Sequence, residues 1–257
     1  MMSVEKLRRQ YRILFLYSTL FFFVTGCAVN EFSSSSATIN DPWENTNREV
    51  HKLNKNIDRL VLRPTSEIYG TLIPQPIRLS IANFHGNLQE PKRFFNHLIQ
   101  RKYLTAGSDM SRFVLNSSIG ILGLFDVASW LKLFPQETNF DETFRYFYFP
   151  AGPYLEVPLT GPSSVRGSLG LIADYTLNPL LMLRGPIQGL SFVTFEAINV
   201  VNERYEYSSI IDSLLYNSSD SYSSTRLTYL QNMKNKNDID DSDLSLASEL
   251  FDPTAEF

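Results

Sequence analysis

The sequence predicts a mainly α fold with one short extended segment, and three observations carry that reading. Apolar residues recur at helical spacings, prolines and small polar residues sit where helices should start, and no set of alternating strands appears in the 257 residues. The first helix opens at Asp41-Pro42: Asp41 can cap, Pro42 fits the first turn and Glu44 stands at the third helical position, so a helix should run to about residue 58. Arg63-Pro64 starts a second helix, which Pro74-Gln75-Pro76 must end. Beyond it Ile77, Ile81, Phe84 and Leu88 follow at spacings of 4, 3 and 4, one face of a helix. Glu90-Pro91 begins another with Phe94, Phe95, Leu98 and Ile99 turned inward, and residues 105–116 continue with Met110, Phe113 and Val114. Gly120 and Gly123 interrupt the pattern before Asp126 caps a short helix ending near Leu131. The Gly-Pro pairs of residues 152–162, with the alternation Tyr154-Leu155-Glu156-Val157, make the extended segment. Helices return over residues 163–175, 186–216 and 219–236.

The two ends differ in kind from this body. Residues 1–26 carry Lys6, Arg8, Arg9 and Arg12, then a 12-residue apolar run from 13 to 24, the layout of a secretory signal peptide. As a helix that run would measure about 18 Å, short of a hydrocarbon core of roughly 30 Å, so it reads as a leader and not as a span. Val24-Thr25-Gly26-Cys27 resembles a bacterial lipobox, whose small residues let the lipoprotein signal peptidase cut before a diacylglycerol-bearing cysteine. Cys27 would then be the lipid-attached N-terminus, and a triacylated cysteine exceeds the two acyl signals that stable anchoring needs. Ala28 stands where an inner-membrane retention signal would place aspartate, which implies delivery to the outer membrane. Residues 27–40, with Ser33-Ser34-Ser35-Ser36, form a flexible tether. Residues 237–257 hold seven acids and no base and read as an acidic, disordered tail. Asp238, Asp240, Ser242 and Glu249 match positions 1, 3, 5 and 12 of a calcium loop, but Asp243 occupies the position that needs glycine, which argues against calcium.

Composition narrows the function classes. With 43% hydrophobic residues the chain is neither mostly disordered nor a collagen-like repeat, and it lacks the long apolar runs of a polytopic membrane protein. The net charge of −4 argues against nucleic acid, and a single cysteine excludes an internal disulfide framework and any multi-cysteine metal site. Setting aside four bases and one acid of the leader and seven acids of the tail, residues 27–236 keep 19 bases and 19 acids. The folded body, residues 41–236, therefore belongs to an essentially neutral stretch. Within it residues 143–149 (TFRYFYF) hold five aromatics, and residues 119–133 are mostly apolar with Trp130 beside Lys132. Two readings fit such crowding: a core, or helices lying in a membrane interface with aromatic rings at headgroup level.

Catalytic signatures are absent. The sequence contains no G-x-S-x-G, P-loop, G-x-G-x-x-G or H-E-x-x-H pattern, so neither a catalytic residue nor a cofactor is assigned. His51, His85 and His97 lie 34 and 12 residues apart, without the helical spacing of a metal face, and no metal is expected. Asp141 and Glu142 are adjacent, which on a helix points them about 100° apart and does not pair them for acid–base work.

A series of ordered blocks resembles a known family. Asp41-Pro42-Trp43-Glu44 with Asn47-Arg48, Arg63-Pro64, Pro74-Gln75-Pro76-Ile77-Arg78, Ile81-Ala82-Asn83-Phe84 with Asn87-Leu88 and Glu90-Pro91, Arg112-Phe113 with Asn116-Ser117, Gly123-Leu124-Phe125-Asp126-Val127-Ala128, Gly152-Pro153-Tyr154, Leu159 with Gly161-Pro162-Ser163 and Arg166, and Ala173-Asp174 with Asn178-Pro179 look like the MlaA (VacJ) outer-membrane lipoproteins. The resemblance implies a ring-shaped, all-helical domain embedded in one membrane leaflet, the periplasmic leaflet of the outer membrane. It also implies an amphipathic channel that takes misplaced phospholipids from the outer leaflet to a periplasmic lipid carrier, with outer-membrane porin trimers as partners. No covalent step is needed, since a wet polar passage beside an apolar rim lets a headgroup avoid hydrocarbon.

The chain departs from the family at one place. Asp141, Arg145, Tyr148 and Pro150 stand where relatives commonly have glycine, in a hairpin of the family expected to flex beside the channel. Tyr146, Phe147, Tyr148, Phe149, Pro150, Ala151 and Gly152 are the candidate channel-side hairpin, expected to be a stiffer wall or a porin-facing surface. Ser221 stands where the family tends to have proline. Asn47, Arg48, Asn83, Asn87, Arg112, Asn116 and Arg166 read as caps and buried hydrogen-bonding groups in preference to channel lining. Two other functions stay open: a structural or surface-exposed lipoprotein without transport, and a phospholipase using a serine such as Ser163 or Ser164.

Overall fold

A computed structural model describes residues 40–178 and 186–250. The leader, Val24, Thr25, Gly26, Cys27 and nearly all of the tether lie outside the described residues. Helix α1 (Glu44–Ile57) runs through a π-helical segment (Asp58–Leu62) into α2 (Arg63–Leu72). Helix α3 (Gln75–Ile99), α4 (Tyr103–Ser118), the single turn α5 (Val127–Trp130) and α6 (Phe140–Tyr146) follow. An antiparallel pair, β1 (Tyr154–Val157) and β2 (Gly161–Ser164), leads into α7 (Val165–Thr176). Helices α8 (Pro186–Glu206), α9 (Ser208–Leu215) and α10 (Ser221–Leu250) complete the described chain.

Several boundaries differ from expectation for identifiable reasons. The α1 and α2 helices are one continuous element: the Arg63 N–H bonds back five residues to Asp58, a wider turn just before Pro64, whose missing N–H a regular helix would leave as a gap. Pro91 likewise lies inside α3 instead of starting a helix. An interior proline costs about 3 kcal/mol, and here Glu90, Arg93, Asn96 and His97 on the same stretch are all buried in tertiary contacts that hold it. Asp41 does not cap α1. Its carboxylate instead accepts from Asn47 Nδ2 at 2.8 Å and from Tyr222 and Arg226 of α10, tying the two ends of the fold together. The helix expected over residues 186–216 breaks at Tyr207, and the acidic segment begins as helix, since α10 continues to Leu250. No glycine or proline interrupts residues 221–250, and Pro253 follows only after the end.

The elements close a circuit. The π segment links α1 to α2, α2 packs on α8, α8 on α3, α3 on α6, α6 on α7, α7 on β1, and β1 returns to α1. No described helix is long and apolar enough to cross a membrane.

Burial is inverted relative to an ordinary water-soluble domain. Among the described residues the fully buried set holds 26 polar or charged side chains and only six apolar or aromatic ones, Ala106, Val127, Ala128, Phe140, Tyr154 and Tyr222. Large apolar side chains face outward on nearly every element, among them Leu60, Ile68, Leu72, Leu104, Ile121, Leu122, Trp130 and Tyr148. The inward face predicted for α3 is therefore wrong: Phe95 and Ile99 are exposed, while Asn87, Glu90, Asn96 and His97 of that helix are buried. The choice posed for residues 119–133 and 143–149 falls mostly on the outward side, with Trp130 71% and Tyr148 90% exposed. So much apolar surface would associate in water, whereas acyl chains accommodate it, and helices satisfy their own backbone polar groups in either medium.

Polar networks replace the missing apolar core. Arg204 holds Asp58 through Nε at 2.6 Å and Nη2 at 3.0 Å and reaches Asp212 at 2.6 Å, joining α8, the π segment and α9. Arg112 of α4 donates to Glu90 at 2.7 Å, to Ser129 at 3.2 Å and to Asp126 at 3.3 Å, and Asp126 caps α5 as expected. Arg166 of α7 donates to Asp141 at 2.7 Å and to the Phe149 carbonyl at 2.8 Å. Of the polar family positions, Asn47, Asn87, Arg112, Asn116 and Arg166 are buried and hydrogen-bonded, the structural role expected of them.

Candidate functional site

A half-open cavity of about 590 Å³ lies between α3, α7 and α8. Three helix faces build it. From α3 come Ala82, His85, Gly86, Gln89, Lys92 and Arg93; from α7 and the residues after it, Leu171, Asp174, Tyr175 and Asn178; from α8 and just beyond, Glu196, Asn199, Val200, Asn202, Glu203, Glu206 and Tyr207; Glu137 completes the wall. The outer faces of the same helices carry Leu79 and Phe95, Leu169 and Ile172 exposed. A mostly polar wall thus lies on helices of which α3 and α7 carry exposed apolar residues on other faces.

The lining is ordered by ion pairs and biased towards acid. Five carboxylates, Glu137, Asp174, Glu196, Glu203 and Glu206, face two permanent cations, Lys92 and Arg93. Arg93 donates to Glu137 at 2.5 Å, Lys92 lies 3.9 Å from Asp174, and Arg78 reaches Glu206 at 3.3 Å from behind the wall. Glu196 accepts from Gln89 at 2.7 Å and lies 3.1 Å from His85 Nε2. Burial pushes Glu196 up, but the hydrogen bonds from His85 and Gln89 outweigh it and hold the carboxyl below its ordinary range. Asp174 is the opposite case: burial raises it, and neither Lys92 nor the Phe140 N–H compensates fully. Tyr175 is also pushed up, first by burial and then by Glu196 and Asp174 nearby. Two acceptors in the wall, Gln89 Oε1 and Asn202 Oδ1, have no hydrogen-bond partner.

The candidate hairpin, residues 146–152, is not part of this wall. Tyr146, Phe147, Tyr148 and Phe149 are exposed on a turn in which Tyr148 takes a left-handed φ of 61° and Gly152 one of 72°. Tyr148 thus keeps the backbone conformation that glycine would adopt freely. Arg166 pins the turn by donating its backbone N–H to Ala151 at 3.0 Å and Nη1 to Phe149 at 2.8 Å, so the segment is braced against α7.

The phospholipase alternative finds little support in the named serines. Ser164 Oγ accepts the Gly167 N–H as the cap of α7, and Ser163 donates to the Ser164 carbonyl at 3.3 Å; neither is hydrogen-bonded to a histidine among the described residues. A different serine does meet one. Ser221 Oγ is 3.0 Å from His51 Nε2, and His51 Nδ1 is 3.1 Å from Glu156 Oε1, a serine–histidine–carboxylate chain that sequence spacing did not reveal. Its surroundings suit a structural tie better than a nucleophile: Lys55 Nζ also donates to Ser221 Oγ at 3.3 Å, and Asp220 takes the Tyr222 and Ser223 N–H groups that could have held an oxyanion. Neither Ser221 nor His51 lines the cavity. No group of three metal-ligating side chains occurs among the described residues.

Sequence reasoning missed the cavity residues, although a signal was present. Glu196, Asn199, Asn202 or Glu203, and Glu206 recur three and four apart on α8, a polar stripe on a largely apolar helix.

Comparison with known proteins gives a consistent picture. The profile of the MlaA lipoprotein family matches residues 39–236. The intermembrane phospholipid transport system lipoprotein MlaA of Haemophilus influenzae is 31% identical over 222 residues, 83% of this chain and 85% of that one. Its counterpart in Escherichia coli is 30% identical over 212 residues, 81% and 82%. An uncharacterized protein of Rickettsia bellii is 31% identical over 187 residues, 72% of each. A solved structure described as the structural basis for maintenance of bacterial outer membrane lipid asymmetry superposes with a TM-score of 0.63 at 31% identity, covering 75% of this chain and 96% of the other.

Proposed function

The chain belongs to the MlaA lipoprotein family, and on that premise we propose that it removes misplaced phospholipids from the outer leaflet of the outer membrane and so maintains lipid asymmetry. The observation that carries this reading is the mostly polar cavity between α3, α7 and α8 beside the exposed apolar faces of α3 and α7. A phospholipid needs both at once: its headgroup avoids hydrocarbon in the polar lumen while its acyl chains stay on apolar surface. The step is a translocation, with no bond made or broken, so no catalytic residue or cofactor is assigned.

On this reading Val24, Thr25 and Gly26 present the peptide bond before Cys27 to the lipoprotein signal peptidase, and the lipidated Cys27 holds the body at the periplasmic leaflet of the outer membrane. Porin trimers serve as outer-membrane partners, and a periplasmic carrier takes the lipid onward. Deleting the gene and labelling outer-leaflet phospholipid tests the proposal. Accumulation that the wild-type gene reverses, and that Cys27→Ser does not, is expected. No accumulation would leave a structural lipoprotein, and loss of lysophospholipid on deletion would point to the phospholipase instead.

A further inference from the structure

We propose that helix α4 and the turns beside it form a binding surface for anionic phospholipid headgroups, a charge-selective hold on the membrane in addition to the lipid anchor proposed at Cys27. The inference concerns the outer surface of the fold and does not rest on transport through the cavity.

The side that α4 turns outward carries no charge. Leu104, Met110 and Val114 are 94%, 40% and 55% exposed, with Gly107 and Ser111 exposed between them, while the charged residues of the helix, Asp109 and Arg112, are buried. At about 100° per residue these five outward positions fall within a stripe roughly 120° wide, the width of face that a helix in water turns towards a core. Among the described residues nothing covers it.

The exposed charge beside the stripe is positive only. Arg101 and Lys102, in the turn between α3 and α4, are exposed, and their side chains have no hydrogen bond or ion pair among the described residues. Residues 91–108 contain no acid, and the acids that bracket them, Glu90 and Asp109, are fully buried. The first turn of α4 has neither an acid nor a side-chain cap, so its free backbone N–H groups add to the positive potential. Tyr103, 65% exposed, stands next to these cations. The turn after α5 repeats the composition: Trp130, Leu131 and Lys132 are exposed, and Lys132 is likewise unpaired. Arg112 fastens this turn to α4 by donating to Ser129 and to the Leu133 carbonyl.

An anionic bilayer surface fits both features. An acidic protein segment would pair the cations but leave the apolar stripe and the two aromatic rings uncovered. In a bilayer, acyl chains cover the stripe, Tyr103 and Trp130 sit at headgroup depth, and the basic side chains reach phosphates over their apolar stems. Residues 27–257 are net negative, since the tail adds seven acids to a neutral body, so average charge alone would keep the chain off such a surface. Screening over about 8 Å lets a local cationic patch act by itself.

The test uses the full-length protein, expressed in an envelope that processes lipoproteins and purified in mild detergent. It distributes between two vesicle populations present together, phosphatidylcholine alone and phosphatidylcholine mixed with phosphatidylglycerol, in detergent too dilute to dissolve them. Vesicles loaded to different densities are then separated and the protein on each is quantified. The acyl anchor and the apolar stripe contribute equally to both populations, so the ratio reads charge. Each basic side chain near an anionic surface contributes about fivefold, and a preference for the anionic vesicles of roughly tenfold or more is expected at about 0.1 M salt, falling towards unity near 1 M. Arg101→Gln, Lys102→Gln and Lys132→Gln together should abolish the preference, whereas Lys52→Gln, at an exposed lysine of α1 paired with Glu49, should leave it unchanged. Equal distribution, the result if the acidic tail covers these cations, or a preference for the neutral vesicles would overturn the proposal. A preference that survives the triple change, or that persists in high salt, would overturn it as well. Outer-leaflet phospholipid in the deletion strain is a separate readout, so the transport reading stands or falls independently.

Discussion

Replacing Arg112 by methionine probes the inverted interior most directly. The guanidinium is buried on α4 and gives Glu90 a hydrogen bond at 2.7 Å, Asp126 one at 3.3 Å and Ser129 one at 3.2 Å, and it also donates to the Leu133 carbonyl. Glu90 is completely buried, and its remaining cation would be Arg93 at 3.3 Å. Removing one partner of a buried ion pair costs about 3–5 kcal/mol, because the other charge is left in a poor solvent; methionine supplies some apolar contact but no donor. The effect should depend on pH. Burial already pushes the Glu90 carboxyl up despite Arg112 and Arg93, and losing Arg112 raises it further. A carboxyl raised in the folded state favours folding below its unfolded value and loses that contribution as pH rises through the folded value. The deficit of Arg112→Met should therefore be largest near pH 8 and shrink towards pH 5. Adding Glu90→Gln removes the stranded charge, and the double variant should recover about 2 kcal/mol relative to the sum of the single changes. Urea unfolding in mild detergent, followed by circular dichroism, measures all four proteins. Additivity within about 0.5 kcal/mol, with no pH dependence, would refute the view that these charges form one coupled unit.

Other consequences are equally accessible. A Cβ at Gly170 would stand 2.5 Å from the Asp141 backbone nitrogen, so Gly170→Ala should lose about 2 kcal/mol or more as α6 and α7 are forced apart, whereas Gly107→Ala, open on α4, should gain about 0.5–1 kcal/mol in the same unfolding assay. Tyr216 donates to Asp58 at 2.7 Å, and burial first, then that bond, push its hydroxyl up to about 12. Its contribution is complete below the unfolded value near 10 and is lost between pH 10 and 12, a decline that Tyr216→Phe should flatten when unfolding midpoints are measured across that range. Ser221→Pro still suits the first position of α10 but removes the bond to His51 Nε2 at 3.0 Å, so a loss of about 1 kcal/mol in urea is expected, with no change in membrane association.

Local signals carried much of the fold. Asp126 before a short helix, Ser164 at the junction of strand and helix, and the glycines and prolines of residues 152–162 act over three or four residues, so each was legible from the chain. Pro64 and Pro91 misled the boundaries because tertiary burial around them outweighs a local preference worth about 3 kcal/mol. The candidate site was largely hidden. Gln89 and Glu196 meet in the pocket wall across 107 residues of sequence, and the Ser221–His51–Glu156 chain spans 170 residues from Ser221 to His51.

By itself the sequence determined the helical class and the ordered motifs of one family, because these depend on spacing and residue identity along the chain. Only the tertiary structure decided which side of each helix is inside. Helical periodicity marks an apolar face but does not say whether water or acyl chains will cover it. Here polar faces of α3, α7 and α8 meet at one pocket while Leu79, Phe95 and Ile172 stay on the outside, an arrangement that long-range packing sets and spacing along the chain does not.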